Sequence, residues 1–293
     1  MDKKKIAILS FAGIFVFLIV LLIANGASTP SADIEDTSNL TEESIATEMD
    51  SSQSTDEGNA EGDNTESFAI CKPAPLTDRP EIIIQKSAYI VSYNKDTKCP
   101  NWVAWHLTAE HTDGPFPRLS NFYEDEAVSP RATLSDYYGS GWSRGHMCPA
   151  GDNKWDKQAM YESFSLINIC PQNTSLNSGL WNSIEIDCRN WSNKFGDIYI
   201  VCGPIFFNKE HETIGENKVV VPEAFFKVVL CLNGTPKGFG FIVRNTDGTK
   251  KRDLYYNSID EVERITGYDF FPALPDDIEQ AVEAVANIDD WRN

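Results

Sequence analysis

The residues with the chemistry to split a phosphodiester lie in one run of the chain. It begins Ser143-Arg144-Gly145-His146, passes through Asn168-Ile169-Cys170-Pro171-Gln172-Asn173, and ends on the stretch from Asn177 through Trp181 and Glu185 to Arg189. Hydrolysis at neutral pH needs a base to deprotonate water, a cation to stabilise charge on the phosphoryl oxygens, and help for the departing alkoxide. His146 is a candidate base, because an imidazole of pKa about 6.5 is largely neutral near pH 7 and can accept a proton. A base of this kind contributes roughly 100- to 10,000-fold, so its loss is expected to be nearly fatal to turnover. Asn177 offers a neutral amide oxygen, a hard donor of the type Mg²⁺ prefers. A single neutral ligand leaves the charge of the ion available to phosphate.

Such side chains need a rigid mount. From Leu176 onward, Asn177, Trp181, Ile184 and Cys188 recur at spacings of three and four, with Glu185 slightly round the face, which predicts a helix over 176–194. Glu185 would then lie roughly 12 Å beyond Asn177 along the axis at 1.5 Å per residue. That separation suits a role through water on the metal, not direct ligation. Arg189 follows Glu185 at i+4, where the two can support each other while the guanidinium reaches toward phosphate.

Arg144-Gly145-His146, Asn168 with Pro171-Gln172, Asn177 with Gly179 and Trp181, and then Glu185 and Arg189 together resemble the DNA/RNA non-specific endonuclease family, the ββα-metal nucleases of the Serratia and endonuclease G type. The resemblance extends from about Ile70 to Phe271. It implies an α+β fold of the ββα-metal (His-Me finger) kind, with a central antiparallel sheet flanked by helices. It also implies a single Mg²⁺ on Asn177, with Mn²⁺ as a substitute, His146 as general base, and Glu185 acting through water on the metal. Arg144 and Arg189 would contact phosphate, and Asn168 would order the site. DNA and RNA are the implied substrates and 5′-phosphate ends the implied products. One position departs from the pattern: the family's Asp before Arg-Gly-His is Ser143 here. The family's further upstream arginine has Arg118 and Arg131 as candidates.

Plainer readings stand beside these. His106, His111 and His211 are expected to be structural hydrogen bonders. Asn177 alone would cap a helix, and Glu185 with Arg189 alone would be an ordinary exposed ion pair. Ser143 and an acidic balance favour a competing class, a degenerate nuclease fold that binds nucleic acid or a protein partner without cutting. A phosphodiesterase for small nucleotides is a third.

The N-terminus suggests a location. After Lys3-Lys4-Lys5, an uncharged and nearly all apolar run from Ile6 to Ala24 is long enough to cross the ~30 Å bilayer core. The preceding lysines predict an exported chain, membrane-anchored by residues 1–27 or secreted if Asn25-Gly26-Ala27-Ser28 is cut. Residues 28–68 are rich in Ser, Thr and acids, with twelve acidic residues and no basic one between Asp33 and Glu66, and read as a disordered stalk. Residues 69–293 form the nuclease domain. Of the formal charge of −19, about −9 remains outside the first 68 residues. A grip on polyanions therefore requires a local basic cleft, with Arg131, Arg144, Lys154, Lys157 and Arg189 as candidates. Seven cysteines with no Cys-x-x-Cys pair suggest disulfides more than zinc, with Cys71–Cys99 as the first candidate pair and Cys148 buried or bridged.

Overall fold

Long strand-forming segments of Val, Ile and aromatic residues turn alternate side chains to opposite faces, and in this chain both faces are covered. The computed structural model describes residues 67–246 and 251–292. In chain order the strands are β1 (Ile82–Gln85), β2 (Ile90–Asn94), β3 (Cys99–Leu107), β4 (Ser143–His146), β5 (Ile169–Gln172), β6 (Ile198–Ile205), β7 (Thr213–Ile214), β8 (Val219–Val220), β9 (Ala224–Cys231), β10 (Lys237–Arg244) and β11 (Tyr256–Asn257). Seven of them build one sheet in the order β1-β2-β3-β6-β9-β10-β11, antiparallel throughout.

Strand β9 shows how the two faces divide. Phe225, Val229 and Cys231 join one core with Trp105, Cys202, Phe239 and Trp181. Ala224, Phe226, Val228 and Leu230 join the other with Ile259, Val262 and Phe270. The Asn182–Phe195 helix buries Ile184, Cys188 and Trp191 on the first face. The Ile259–Thr266 and Asp276–Glu283 helices cover the second. Their close approach depends on β10: a Cβ at Gly240 would lie 2.4 Å from Val262 Cγ2, and one at Gly238 would lie 2.7 Å from Ile259 Cδ1. Ser258 caps the first of these helices by accepting from the Glu261 amide at 3.2 Å, as its Ser-x-x-Glu pattern predicts.

The unit that carries the candidate site residues lies outside the large sheet. Strands β4 and β5 pair antiparallel from Ser143↔Gln172 to His146↔Ile169. Gly145 is needed there, since a Cβ would sit 2.2 Å from Gln172 Oε1. Strand β5 leads into Asn173, whose side chain caps the next turn by accepting from the amides of Ser175 at 2.9 Å and Leu176 at 3.1 Å. Helix follows in three pieces: Thr174–Leu176, a π-helical turn Asn177–Trp181, and Asn182–Phe195. This is a β-β-α unit packed on an antiparallel sheet, the architecture expected from the sequence.

Four expectations change. The run 163–169, whose apolar residues read as a strand in the sequence, is not one: the Lys157–Ser163 helix ends in it and a 3₁₀ turn, Leu166–Asn168, precedes β5. A short apolar run buries equally well in either form, so periodicity alone could not separate them. The helix over 176–194 is interrupted by the π turn. The seven cysteines are all unpaired and buried. The candidate pair fails on topology, because Cys71 packs on one face of the sheet and Cys99 on the other. Finally, the fold begins before residue 69: Phe68 is core, and Ser67 Oγ is 3.1 Å from His106 Nδ1. The expected anchor and the rest of the expected stalk lie outside the described residues, and among those described no helix is long and apolar enough to cross a membrane.

Candidate active site

His146 ends β4 and is only 5 % exposed. Its ring packs between Phe122, at 5.2 Å between centroids, and Phe164, edge-on at 5.0 Å. Burial, aided by the charges of Arg118 and Arg144, pushes its pKa down to about 3, and its Nε2 has no hydrogen-bond partner. The imidazole is therefore neutral across the physiological range, with a free nitrogen. Arg144 stacks its guanidinium 4.4 Å from the Phe122 ring, and Arg118 lies 5.2 Å from the Phe164 ring. Of the two upstream arginines considered, Arg118 reaches this site. Arg131 instead lies 3.9 Å from Glu124.

Asn168 holds the strand end in place. Its Oδ1 accepts from the Cys148 amide at 2.9 Å, while its Nδ2 donates to the carbonyls of Cys148 and Ser163, each at 2.8 Å. The side chain is fully buried, so it fixes the chain two residues past His146 and does not face solvent. Cys148 is buried as an ordinary thiol, raised by burial.

Asn177 opens the π turn, half-buried. Among the described residues its side chain has no partner, which leaves its amide oxygen free to bind a cation. π turns are rare and often mark functional sites, because the extra residue redirects side chains on one face. Ser143, where the family pattern has Asp, hydrogen-bonds through its hydroxyl to that of Thr174 at 2.8 Å, tying β4 to the start of the helix.

Beyond Asn177 lies a charge network that the sequence reading largely missed. Glu185 is raised to about 7 by burial, with Lys227, Arg189 and Arg118 pulling it back down and Asp152 pushing it up. Lys227 is fully buried in β9, its Nζ without a hydrogen-bond partner and 4.9 Å and 5.0 Å from the rings of Trp105 and Trp181. Burial opposes its charge, and Glu185 and Asp152 are the anions that offset this. Cys202 is also near, but burial pushes its thiol up to about 12, so it carries no charge at pH 7. Arg189 does not pair with Glu185 as the i+4 spacing suggested. It donates to Asp152 Oδ1 at 2.9 Å, and Trp105 Nε1 donates to the other oxygen at 3.2 Å.

Asp152 comes from the 3₁₀ turn Ala150–Asp152 and had no spacing signal. Lys227 did have one, as a lone charge in an otherwise apolar strand. The other histidines bond elsewhere: His106 stacks on Tyr199, His111 on Trp155, and His211 lies 2.8 Å from Glu223.

The donor set suits a hard divalent ion that keeps most of its waters. Asn177 offers one free amide oxygen, and Glu185 adds a carboxylate nearby on the same helix. Among the described residues, the one cluster of three potential acidic, His or Cys ligands is Asp260, Glu263 and Glu283, on the opposite face of the sheet.

Known proteins resemble this chain in sequence and fold. Nuclease EXOG, mitochondrial, of Xenopus laevis is 34% identical over 222 residues, covering 70% of this chain and 62% of that protein. Endonuclease G, mitochondrial, of Bos taurus is 31% identical over 205 residues, covering 64% and 69%. A chain in the crystal structure of the EndoG/EndoGI complex superposes with a TM-score of 0.65 at 26% identity, covering 75% of this chain and 95% of that one. The match thus spans about three fifths of the length of the EXOG relative. The EXOG and endonuclease G relatives are mitochondrial by name, which overturns the expectation of an exported, membrane-anchored or secreted protein. The pattern of the DNA/RNA non-specific endonucleases matches residues 67–277, most of the chain, and with the β-β-α unit and the buried His146 in place the chain belongs to that family.

Proposed function

We propose that the chain is a Mg²⁺-dependent, sugar-non-specific endonuclease that hydrolyses DNA and RNA to 5′-phosphate ends. The observation that supports this reading is the His146 imidazole, held neutral by burial beside the charges of Arg118 and Arg144, with a buried Nε2 that has no hydrogen-bond partner. His146 removes a proton from water, which attacks phosphorus in line with the departing 3′ oxygen. The phosphorus–oxygen bond to that 3′ oxygen breaks, and the leaving oxygen is protonated from solvent. Arg118 and Arg144 hold the phosphate and offset its charge. Asn177 would hold Mg²⁺, which when bound supplies Lewis-acid stabilisation of the charge that builds on the phosphoryl and leaving oxygens. Glu185, steadied by Lys227, orders water beside Asn177, while Asp152 fixes Arg189 and Asn168 fixes the strand end. Because water is the nucleophile, no 2′-hydroxyl is needed and both sugars serve.

The experiment is cleavage of plasmid DNA and of RNA by the full chain with Mg²⁺ or EDTA, beside His146→Ala and Asn177→Ala. Metal-dependent cutting of both polymers, lost in both variants, is expected. Folded protein that binds but leaves both polymers intact would establish the competing reading, a binding module, for which the Ser143–Thr174 hydroxyl pair in place of a carboxylate is the supporting observation.

A further inference from the structure

Exposed aromatic rings are costly to leave in water, and here they cluster beside the catalytic strand. Tyr138 is 72 % exposed and Phe207 is 54 % exposed. Tyr138 lines a cleft of about 290 Å³ with Arg118, Phe122, Trp142 and Arg144. Trp142 also lines a neighbouring cleft of about 340 Å³, together with Phe207 and Arg244. The two clefts thus meet at one indole. That indole is fixed, because Trp142 Nε1 donates to Glu212 Oε1 at 2.7 Å. The Arg244 guanidinium lies 5.7 Å from the Phe207 ring, as Arg144 lies over Phe122. Trp142 is four strand residues from His146, about 13 Å at the rise of an extended chain.

Aromatic faces interleaved with arginines are the chemistry of single-stranded nucleic acid: rings stack on bases, and guanidinium groups take the phosphates. The carboxylates of Glu212 and Glu223 in the second cleft disfavour phosphate there, so that cleft suits a base, with the backbone held by Arg144 and Arg244. An intact duplex keeps its base faces within its own stack and has nothing to offer these rings. We propose that Tyr138, Trp142 and Phe207 form a base-stacking track leading out of the cleft that Arg118, Phe122 and Arg144 wall, which makes unpaired strands the preferred substrate. This rests on the nuclease reading and deepens it. The track selects strands by their unpaired bases and is indifferent to the sugar.

The test uses the full chain carrying His146→Ala, so that nothing is cut, with labelled oligo(dT) and a duplex of equal length at one salt concentration, read by fluorescence anisotropy. The single strand is expected to bind more tightly. Tyr138→Ala or Phe207→Ala, both at exposed positions, should weaken it about 5- to 100-fold while changing duplex affinity less than about twofold. Equal losses on both substrates, or no loss on either, would overturn the track. Cleavage by the chain with native His146 separates the two failures. Plasmid cutting that Tyr138→Ala leaves with an unchanged preference for strands sinks the track alone, whereas neither cutting nor binding sinks the nuclease reading with it.

Discussion

Arg189 donates a 2.9 Å hydrogen bond to Asp152, and Gly151 makes the approach possible, since a Cβ there would lie 2.8 Å from the guanidinium. The pair joins the Asn182–Phe195 helix to the turn that follows the His146 strand. Asp152→Asn leaves the guanidinium part-buried and under-compensated, a change that costs about 3 to 5 kcal/mol when one partner of a buried pair is removed. Thermal denaturation should show a fall in Tm of about 10 °C, given about 2 to 4 °C per kcal/mol for a domain of this size. Asp152→Asn combined with Arg189→Met should lose less than the sum of the single changes. Additive losses would show that the two do not act as a pair.

Lys227 acts on Glu185. It pulls the Glu185 carboxyl down against burial, so Lys227→Met, which keeps the length of the stem, should let that carboxyl rise above about 7. The acid limb of the pH–activity profile is then expected to move to higher pH, with activity at pH 7 falling and partly recovering at pH 9. Tm should fall at pH 9, where Glu185 and Asp152 are left buried without their counter-charge, and less at pH 6, where Glu185 takes up a proton. A uniform loss of activity at every pH would assign Lys227 to packing alone.

His146 makes the fold acid-sensitive. Its folded pKa of about 3 lies below the unfolded value of about 6.5, so the unfolded chain binds the proton first. The contribution to stability is complete above about pH 6.5 and is lost as pH falls toward 3. His146→Leu should therefore gain about 2 kcal/mol relative to the parent on going from pH 7 to pH 5, measured by urea unfolding at each pH. Parallel pH curves for the two proteins would refute it.

The opposite sign holds on the far face of the sheet. Burial and the neighbouring Glu263, Glu279, Asp260 and Asp269 raise Glu283 to about 8, well above its ordinary range. Its stabilising protonated form is complete below about pH 4.5 and is lost as pH rises through about 8. Glu283→Gln should raise Tm at pH 8.5 by several degrees and at pH 5 hardly at all. An equal effect at both pH values would mean that the carboxyl is not raised in the fold.

The long strands were legible because their apolar runs are bounded by Gly, Pro and Asn, and the Asn177–Trp181–Ile184–Cys188 spacing marked the helix that carries the site. His146, Arg144 and Asn177 stood out as candidates because their types and order carry chemistry in sequence. Asp152 was invisible for the converse reason. Its importance lies in contacts with Trp105 and Arg189, each tens of residues away. Arg189 was assigned the wrong partner because i+4 spacing describes proximity on a helix surface, whereas a buried carboxylate from another element offers a drier and stronger bond. Lys227 was overlooked because a strand's period places it on a face without saying what occupies that face.

The π turn at Asn177–Trp181 separates two design problems. Below it, Ile184, Cys188 and Trp191 keep the helix seated on the sheet, and above it the Asn173 cap locks the start to β5. The extra residue in the turn works as a swivel between these fixed ends. Sequence drift can re-aim the Asn177 amide by changing this turn alone, without disturbing a single tooth of the hydrophobic seam.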